Sequence, residues 1–265
     1  QIDLIPLLGN KDADLNKMLA ANLKVREDDI LSFDLQVYNR YRGSIIGANK
    51  EYFMAPQIDN LESAYLTLKG FLDGNDDEAL NIYVSFDNEE VGSRTKQGAG
   101  SGFMSTNLVR IFKALGALDD ALDKSIARGL LVSCDNAHAV HPNDLGKTDK
   151  LNKVYMNEGI VIKYNANQAY TTDAMSSAVL KRIFELNNIK YQEFTNRSDV
   201  RGGSTLGAIS TQMVSIPSVD IGLAQLAMHS ACETAGVYDA KILESGMKAF
   251  YDTKIKKEKN CYIIK

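Results

Sequence analysis

The histidines of this chain lie in only two segments, and acidic residues accompany them. His138 and His141 closely follow Asp135, and His229 lies far downstream, next to Met228. A single histidine is more often a hydrogen-bonded structural residue than a ligand. Imidazole and carboxylate together, however, are side chains that bind zinc and similar divalent ions. The spacing by itself does not decide between two interpretations, a metal site and a set of structural histidines.

Further carboxylates lie in two other segments. The cluster Asp87–Ser93 contains the adjacent residues Glu89 and Glu90, directly after the apolar segment 80–86. The alternative interpretation of this cluster is a solvated loop. The preceding apolar strand argues against it, because that strand would place Glu89 and Glu90 at one edge of a sheet. Asp59 is a candidate for a carboxylate shared by two ions, although aspartate at this position would also suit a helix N-cap.

The charge balance and the apolar pattern argue against two classes of partner. The chain has 265 residues, with 30 basic and 34 acidic side chains and a net charge of −4. Nucleic acid is therefore not expected as a partner, and no apolar run approaches the ~18 residues of a membrane span. Three widely spaced cysteines form no CxxC pair, and the sequence opens without a secretory leader. We therefore predict a cytoplasmic protein.

Apolar periodicity predicts the elements that must position these residues. Helices are predicted at 11–24, after residue 60, at 105–116, 173–187 and 239–251. Strands are predicted at 30–38, 80–86, 130–134, 159–164, 191–195 and 213–221. The alternation predicts an α/β fold with a largely parallel sheet and helices on both faces. Ligands of such sheets lie beyond the carboxyl ends of the strands, which is where Glu89, Asp135 and His229 are expected.

The two ends of the chain differ from the middle in residue composition. Residues 1–52 contain none of the candidate ligands, and we predict that they form a segment separate from residues 53–265. Residues 254–265 contain five lysines and one glutamate, a composition that indicates a solvated tail.

Five motifs occur in an order that resembles a known family. They are Asp59-Asn60, Phe86–Ser93, Ser133–Asn143, Asn196–Leu206 and Met228–Ser230. Together they resemble the M18 family of zinc aminopeptidases, which includes aspartyl aminopeptidases and the vacuolar aminopeptidase I type. The resemblance implies a three-layer α/β/α sandwich with a second, inserted dimerisation domain. Residues 1–52 would then be the C-terminal part of that domain, and residues 53–265 a catalytic domain without its N-terminal segment.

The resemblance also implies a role for each candidate residue. Asp59 would bridge two divalent ions, with zinc favoured over manganese or cobalt. Glu90 and His229 would complete the shell of one ion, and Asp135 would bind the other. Glu89 would be the general base that takes a proton from the attacking water. The implied partners are a peptide substrate and further copies of the chain, as a dimer or an assembly of dimers.

Subunit contacts are expected from residues 30–53, through exposed apolar side chains such as Leu31, Phe33 and Tyr41.

The chain also departs from the family pattern. An early His-x-Asp motif supplies one metal ligand in the family, but no histidine precedes His138 here. A non-catalytic subunit or fragment that acts in assembly is therefore the alternative to an active peptidase. Ala169 replaces an arginine of many members, which puts a strict preference for acidic substrates in doubt. Lys163 is a candidate substrate contact or an exposed strand residue, and His138 and Gly203 are weaker candidates for substrate binding.

Overall fold

The computed structural model describes residues 5–76, 78–118, 120–200, 202–259 and 261–265. The chain divides into two compact units, Gln1–Arg40 and Tyr41–Lys265. The division therefore precedes residue 52, although the assignment of the N-terminal residues to an inserted domain stays a prediction. Arg201, within one of the five motifs, lies outside the described residues.

The first unit contains one α-helix, α1 (Leu15–Leu23). Asp14 begins this helix, because its side chain accepts hydrogen bonds from the backbone N–H groups of Asn16 and Lys17. The predicted strand at 30–38 is wrong, since these residues pair with no strand in the part of the chain that the structure describes. Alternation of apolar residues is not sufficient for a strand, because its backbone also needs a hydrogen-bonded neighbour.

The second unit contains six α-helices and eleven strands among its described residues. The helices are α2 (Ile58–Asp73), α3 (Phe103–Ala114), α4 (Ala121–Arg128), α5 (Ala174–Leu186), α6 (Leu206–Met213) and α7 (Val237–Asp252). The strands are β1 (Ser44–Ile46), β2 (Tyr52–Ala55), β3 (Leu131–Cys134), β4 (Ala137–His138), β5 (Ile160–Tyr164), β6 (Tyr191–Thr195), β7 (Ser218–Gly222), β8 (Ala224–Leu226), β9 (Glu233–Gly236), β10 (Ile255–Glu258) and β11 (Cys261–Ile264). No described helix combines the length and the apolar composition needed to cross a membrane.

The strands form two larger sheets and one hairpin. Their orders are β3-β7-β5-β6, β1-β2-β9-β8-β4 and β10-β11. The prediction of a largely parallel sheet holds for two of the three pairings in the four-stranded sheet, β3/β7 and β5/β6, whereas β5 pairs antiparallel with β7. The fold is therefore mixed α/β. Apolar strand patterns look alike in either direction, so the sequence did not reveal the reversal at β7.

The two faces of β5 enter different cores, and this gives the fold its layers. Ile160 and Ile162 pack with apolar side chains of α2, α5 and α7, whereas Val161 belongs to a second core. On the opposite face of the sheet, Gly207 of α6 approaches Ser133 so closely that an added Cβ would lie 2.7 Å from its Oγ. Helices thus cover both faces of the sheet, which confirms the predicted α/β/α sandwich.

Two segments differ from their sequence-based predictions, the strand predicted at 80–86 and the solvated tail predicted at 254–265. Residues 80–86 pair with no strand among the residues that the structure describes. Aromatic hydroxyls attach them to neighbouring helices instead: Tyr83 donates to the carbonyl of Ala64 (2.9 Å), and Tyr251 donates to that of Ile82 (3.2 Å). The lysine-rich end is not a solvated tail, because β10 pairs with β11 and Tyr262 packs against the main core. Apolar residues between the lysines make the hairpin amphipathic.

The loop after residue 86 is held by its own backbone. The N–H of Asp87 donates to the carbonyl of Gln97 (3.1 Å), and the N–H of Ser93 donates to that of Asn88 (2.9 Å). The carbonyl of Ser93 in turn accepts from Gly100 (3.0 Å). These bonds close the chain around Glu89 and Glu90, so the loop is compact and its two glutamates have defined positions.

Gly98 is the point of closest backbone approach in this loop, and we predict that Gly98→Ala destabilises the protein. An added Cβ would lie 2.5 Å from the Ser93 carbonyl oxygen, which is backbone and cannot turn aside. The free energy of unfolding should fall by about 1–3 kcal/mol, the usual effect of overpacking, as measured by urea denaturation.

Gly146→Ala is the matched control, because its Cβ would meet only Asp144 Oδ1, at 3.6 Å. Equal effects of the two substitutions would contradict the contact-based explanation.

Candidate metal centre

Three side chains from distant parts of the chain meet at one point. His229 Nε2 lies 2.9 Å from Asp59 Oδ2 and 3.1 Å from Glu90 Oε1. One ligand atom from each of the three residues lies within 4.8 Å of the others. The Asp59 side chain is 3% exposed, whereas that of His229 is 61% exposed. The group is therefore buried at Asp59 and open to solvent at His229.

The surroundings of Asp59 favour a cation. Burial, followed by the negative charges of Asp135 and Glu90, raises the pKa of Asp59 to about 9. Its Oδ1 atom is buried and has no hydrogen-bond partner among the described residues. The N-cap alternative for Asp59 is wrong, because its Oδ2 pairs with His229 and its Oδ1 accepts no hydrogen bond from a described residue, so neither oxygen caps α2. A carboxylate oxygen without a partner, among like charges, is well suited to coordinate a metal ion.

Asp135 lies beside Asp59 and is paired with a buried lysine. Lys163 Nζ lies 3.3 Å from Asp135 Oδ2 and donates to the carbonyl of Asn136 (3.1 Å). Although burial disfavours its charged form, Asp135 and Asp220 raise the pKa of Lys163 above its ordinary value. The exposed-strand alternative for Lys163 is wrong, since the side chain is 2% exposed.

Glu89 is half-buried in the loop that also carries Glu90. Burial, with the charges of Asp135 and Glu90, raises the pKa of Glu89 to about 7, and Lys163 opposes this shift. Its carboxyl group therefore lies in the same electrostatic environment as the candidate ligands. A group with a pKa near neutrality is able to accept and release a proton during a reaction.

The weaker candidates lie at different places. His138, the last residue of β4, is exposed, and partial desolvation together with the charge of Lys163 lowers its pKa. Gly203 lies in an exposed segment before α6, with open space beside its Cα. Its neighbour Thr205 donates to Asp220 Oδ1 (2.6 Å), which attaches this segment to β7.

A buried polar network supports the buried part of the site. Asn136, directly after Asp135, accepts from Ser63 Oγ (2.7 Å) and donates to Gln225 Oε1 (2.7 Å) and Glu62 Oε2 (3.2 Å). These bonds join α2 to the segment between β3 and β4 and to β8. The start of α2, which carries Asp59, is thereby held against the end of β3.

Glu233 was missed by the sequence analysis. It is 2% exposed and accepts hydrogen bonds from the backbone N–H groups of Asp59 (2.9 Å) and His229 (2.6 Å). The sequence signal that could have identified it was a charged residue at the start of a short strand, only four positions after His229.

The donor set fits a divalent ion of the zinc type. One imidazole nitrogen and carboxylate oxygens converge, with further carboxylates at Asp135 and Glu89 close by. Zinc accepts this mixture of nitrogen and oxygen ligands, and other divalent ions of the first transition series accept it too. The unpartnered Oδ1 atom of Asp59 is consistent with that fit.

Comparison with known proteins identifies related sequences. Residues 8–251 match the family model described as aminopeptidase I zinc metalloprotease (M18). A probable M18 family aminopeptidase 2 from Clostridium novyi (strain NT) is 42% identical over 258 residues, which are 95% of this chain and 60% of that protein. A probable aspartyl aminopeptidase from Ricinus communis is 37% identical over 245 residues, 90% of this chain and 50% of that protein.

Solved structures share the fold. The M18-family aminopeptidase of Thermotoga maritima superposes with a TM-score of 0.82 at 24% identity, over 94% of this chain and 57% of that chain. The mApe1 dodecamer of S. cerevisiae gives a TM-score of 0.75 at 23% identity, over 89% of this chain and 54% of its own.

The match to the family model covers most of the chain, and it includes every residue of the metal centre. The chain spans about half to three-fifths of the length of the curated relatives it matches. On this sequence and structural similarity, the chain belongs to the M18 family of zinc aminopeptidases.

Proposed function

We propose that the protein containing this chain is a metal-dependent aminopeptidase that removes N-terminal amino acids from peptides. The observation that carries the proposal is the convergence of His229 Nε2 with Asp59 and Glu90, beside two further carboxylates. Membership of a zinc metalloprotease family supports the same activity.

The donor atoms divide naturally between two ions. Asp59, Glu90 and His229 would hold one, and Asp135 together with Asp59 would hold the other. Zinc is the favoured metal because the family model names it, and manganese or cobalt would suit the same donors. When bound, such ions lower the pKa of water and polarise a peptide carbonyl.

We assign the proton transfers to Glu89. It lies among Asp135, Glu90 and His229 and is only half-buried, so its carboxylate is accessible to water within the site. As general base it would take a proton from the attacking water and later give it to the leaving amine. Glu90 differs from its neighbour because its Oε1 is already engaged by His229.

We assign substrate recognition to the exposed candidates His138 and Gly203. His138 is exposed beside the centre, and the backbone at Gly203 is open to solvent. Lys163 would meet only a substrate group that reaches Asp135, because its Nζ is buried and bonded to two partners.

The two adjacent glutamates provide a sharp test of this division of roles. Glu89→Gln should lower peptidase activity by roughly two to four orders of magnitude, the usual share of general-base catalysis, while both metals remain bound. Glu90→Gln should lose metal, and excess zinc or manganese should restore part of its activity. Metal content by mass spectrometry and hydrolysis of unblocked peptides give the two readouts.

Each other outcome has a defined meaning. Metal loss in Glu89→Gln alone would reverse the two roles. Unchanged activity in both variants would contradict the peptidase and favour the alternative, a non-catalytic subunit that acts in assembly.

We further propose that the chain assembles with copies of itself through its N-terminal residues. Residues 31–37 alternate apolar and polar, but they have no strand partner among the described residues. Leu31 is 94% exposed, and Phe33 and Val37 are exposed as well. The dodecameric state of the S. cerevisiae mApe1 supports an assembly of this kind. Pairing across subunits would provide both the missing hydrogen bonds and burial for these side chains.

Light scattering at micromolar concentration tests this assembly. The unaltered protein should be larger than a monomer, and the double variant Leu31→Asp/Val37→Asp should dissociate because charge is costly in a buried interface. Leu151→Asp is the matched control, since Leu151 is 90% exposed and lies in the other unit. A monomeric unaltered protein, or equal dissociation in the control, would contradict the proposal.

A further inference from the structure

The hydrogen bonds between Glu233 and the candidate metal centre go to backbone groups. Its Oε2 accepts from the N–H of Asp59 (2.9 Å), and its Oε1 accepts from the N–H of His229 (2.6 Å). The two donors belong to residues 170 positions apart whose side chains meet at 2.9 Å. One carboxylate therefore connects the backbones of two candidate ligands.

The fold explains how one residue reaches both. Glu233 begins β9 and lies opposite Ala55, the last residue of β2. The chain leaves β2 and arrives at Asp59 four residues later, and His229 precedes Glu233 by four residues. Both ligands thus lie at the ends of short connections that start from the same strand pair, and Glu233 closes each connection.

The backbone at His229 needs such a contact. Its φ of 65° lies in the left-handed region, which residues with a β-carbon adopt at a cost of about 1 kcal/mol or more. The 2.6 Å bond from its N–H to Glu233 opposes relaxation of that conformation. Because Glu233 is 2% exposed, water competes little for its oxygens.

We propose that Glu233 is a positioning residue of the metal centre, which fixes the ligands Asp59 and His229 through their amides and so sets the metal affinity. The inference rests on the proposed function. A carboxylate group has two oxygens that can accept hydrogen bonds, so Glu233 meets two facing N–H groups at once. The residue contributes to metal binding without touching the ion.

The test is Glu233→Gln in the full chain. Glutamine keeps the size of the side chain, but its NH₂ group must face one of the two N–H donors, so one ligand is released. Zn²⁺ affinity, measured by competition with a chromogenic chelator, should fall about 10- to 100-fold, as for other residues that orient metal ligands.

Asp239→Asn is the matched control. Asp239 is also buried and also accepts from two backbone N–H groups, those of Asn157 (2.5 Å) and Gly159 (2.8 Å). These bonds hold the loop before β5 rather than the ligands. The control should therefore lose folding stability but keep the Zn²⁺ affinity of the unaltered protein.

Two further measurements cover the case in which Glu233→Gln fails to fold. Glu233→Asp keeps both oxygens on a shorter side chain, so its affinity should fall between those of the unaltered protein and Glu233→Gln. In the unaltered, metal-free protein, hydrogen exchange at the amides of Asp59 and His229 should be slow. Rapid exchange at both amides would overturn the inference.

The outcomes separate this inference from the proposed function. If the unaltered protein binds Zn²⁺ and Glu233→Gln binds it equally well, the role of Glu233 is overturned and the metal site stands. The same holds if both Glu233→Gln and Asp239→Asn lose affinity alike. If the unaltered protein binds no divalent ion, the proposed function is overturned and this inference with it.

Discussion

The close approach of several carboxylates in a partly buried site is the constraint on which the rest of the site depends. Burial, together with the negative charges of Asp135 and Glu90, raises the pKa of Asp59 to about 9 and that of Glu89 to about 7. Such a group disperses unless the surrounding structure opposes the repulsion. The mixed sheet, the compact loop 87–100 and the buried network around Asn136 therefore act together, and the loop alone holds two of the four carboxylates, Glu89 and Glu90.

The sequence predicted the members of this group better than the elements that carry it. The residue types at Asp59, Glu90 and His229 are specific, and their motifs occur in family order, so their meeting could be expected. The strands at 30–38 and 80–86 were wrong because alternation reports an amphipathic surface and not a hydrogen-bonded neighbour. The reversal of β7 against β5 was hidden for a related reason: strand direction depends on the connections and not on the composition of the strand.

Lys163 and Glu233 show what a sequence pattern leaves out. An isolated lysine within an apolar strand could equally be a surface residue. Its burial beside Asp135 follows only from the position of β5 next to β7, which in turn pairs with β3. Glu233 carries no motif at all, because its contacts are with backbone N–H groups, which every residue except proline possesses. A bond to a backbone amide places no demand on the identity of its partner. Positioning residues of this kind become visible only when coordinates show where the amides point.

The site uses two different means to hold its carboxylates. Asp135 is held by an opposite charge, since Lys163 is buried and its pKa is raised by Asp135 and Asp220. Asp59 is instead held through its backbone by Glu233, itself an acid, and Oδ1 of Asp59 has no hydrogen-bond partner among the described residues. A second lysine beside Asp59 would stabilise the metal-free protein more strongly, but it would occupy the oxygen that a cation needs. Holding the backbone and leaving the side chain available is therefore the arrangement that suits the metal-ligand role proposed for Asp59.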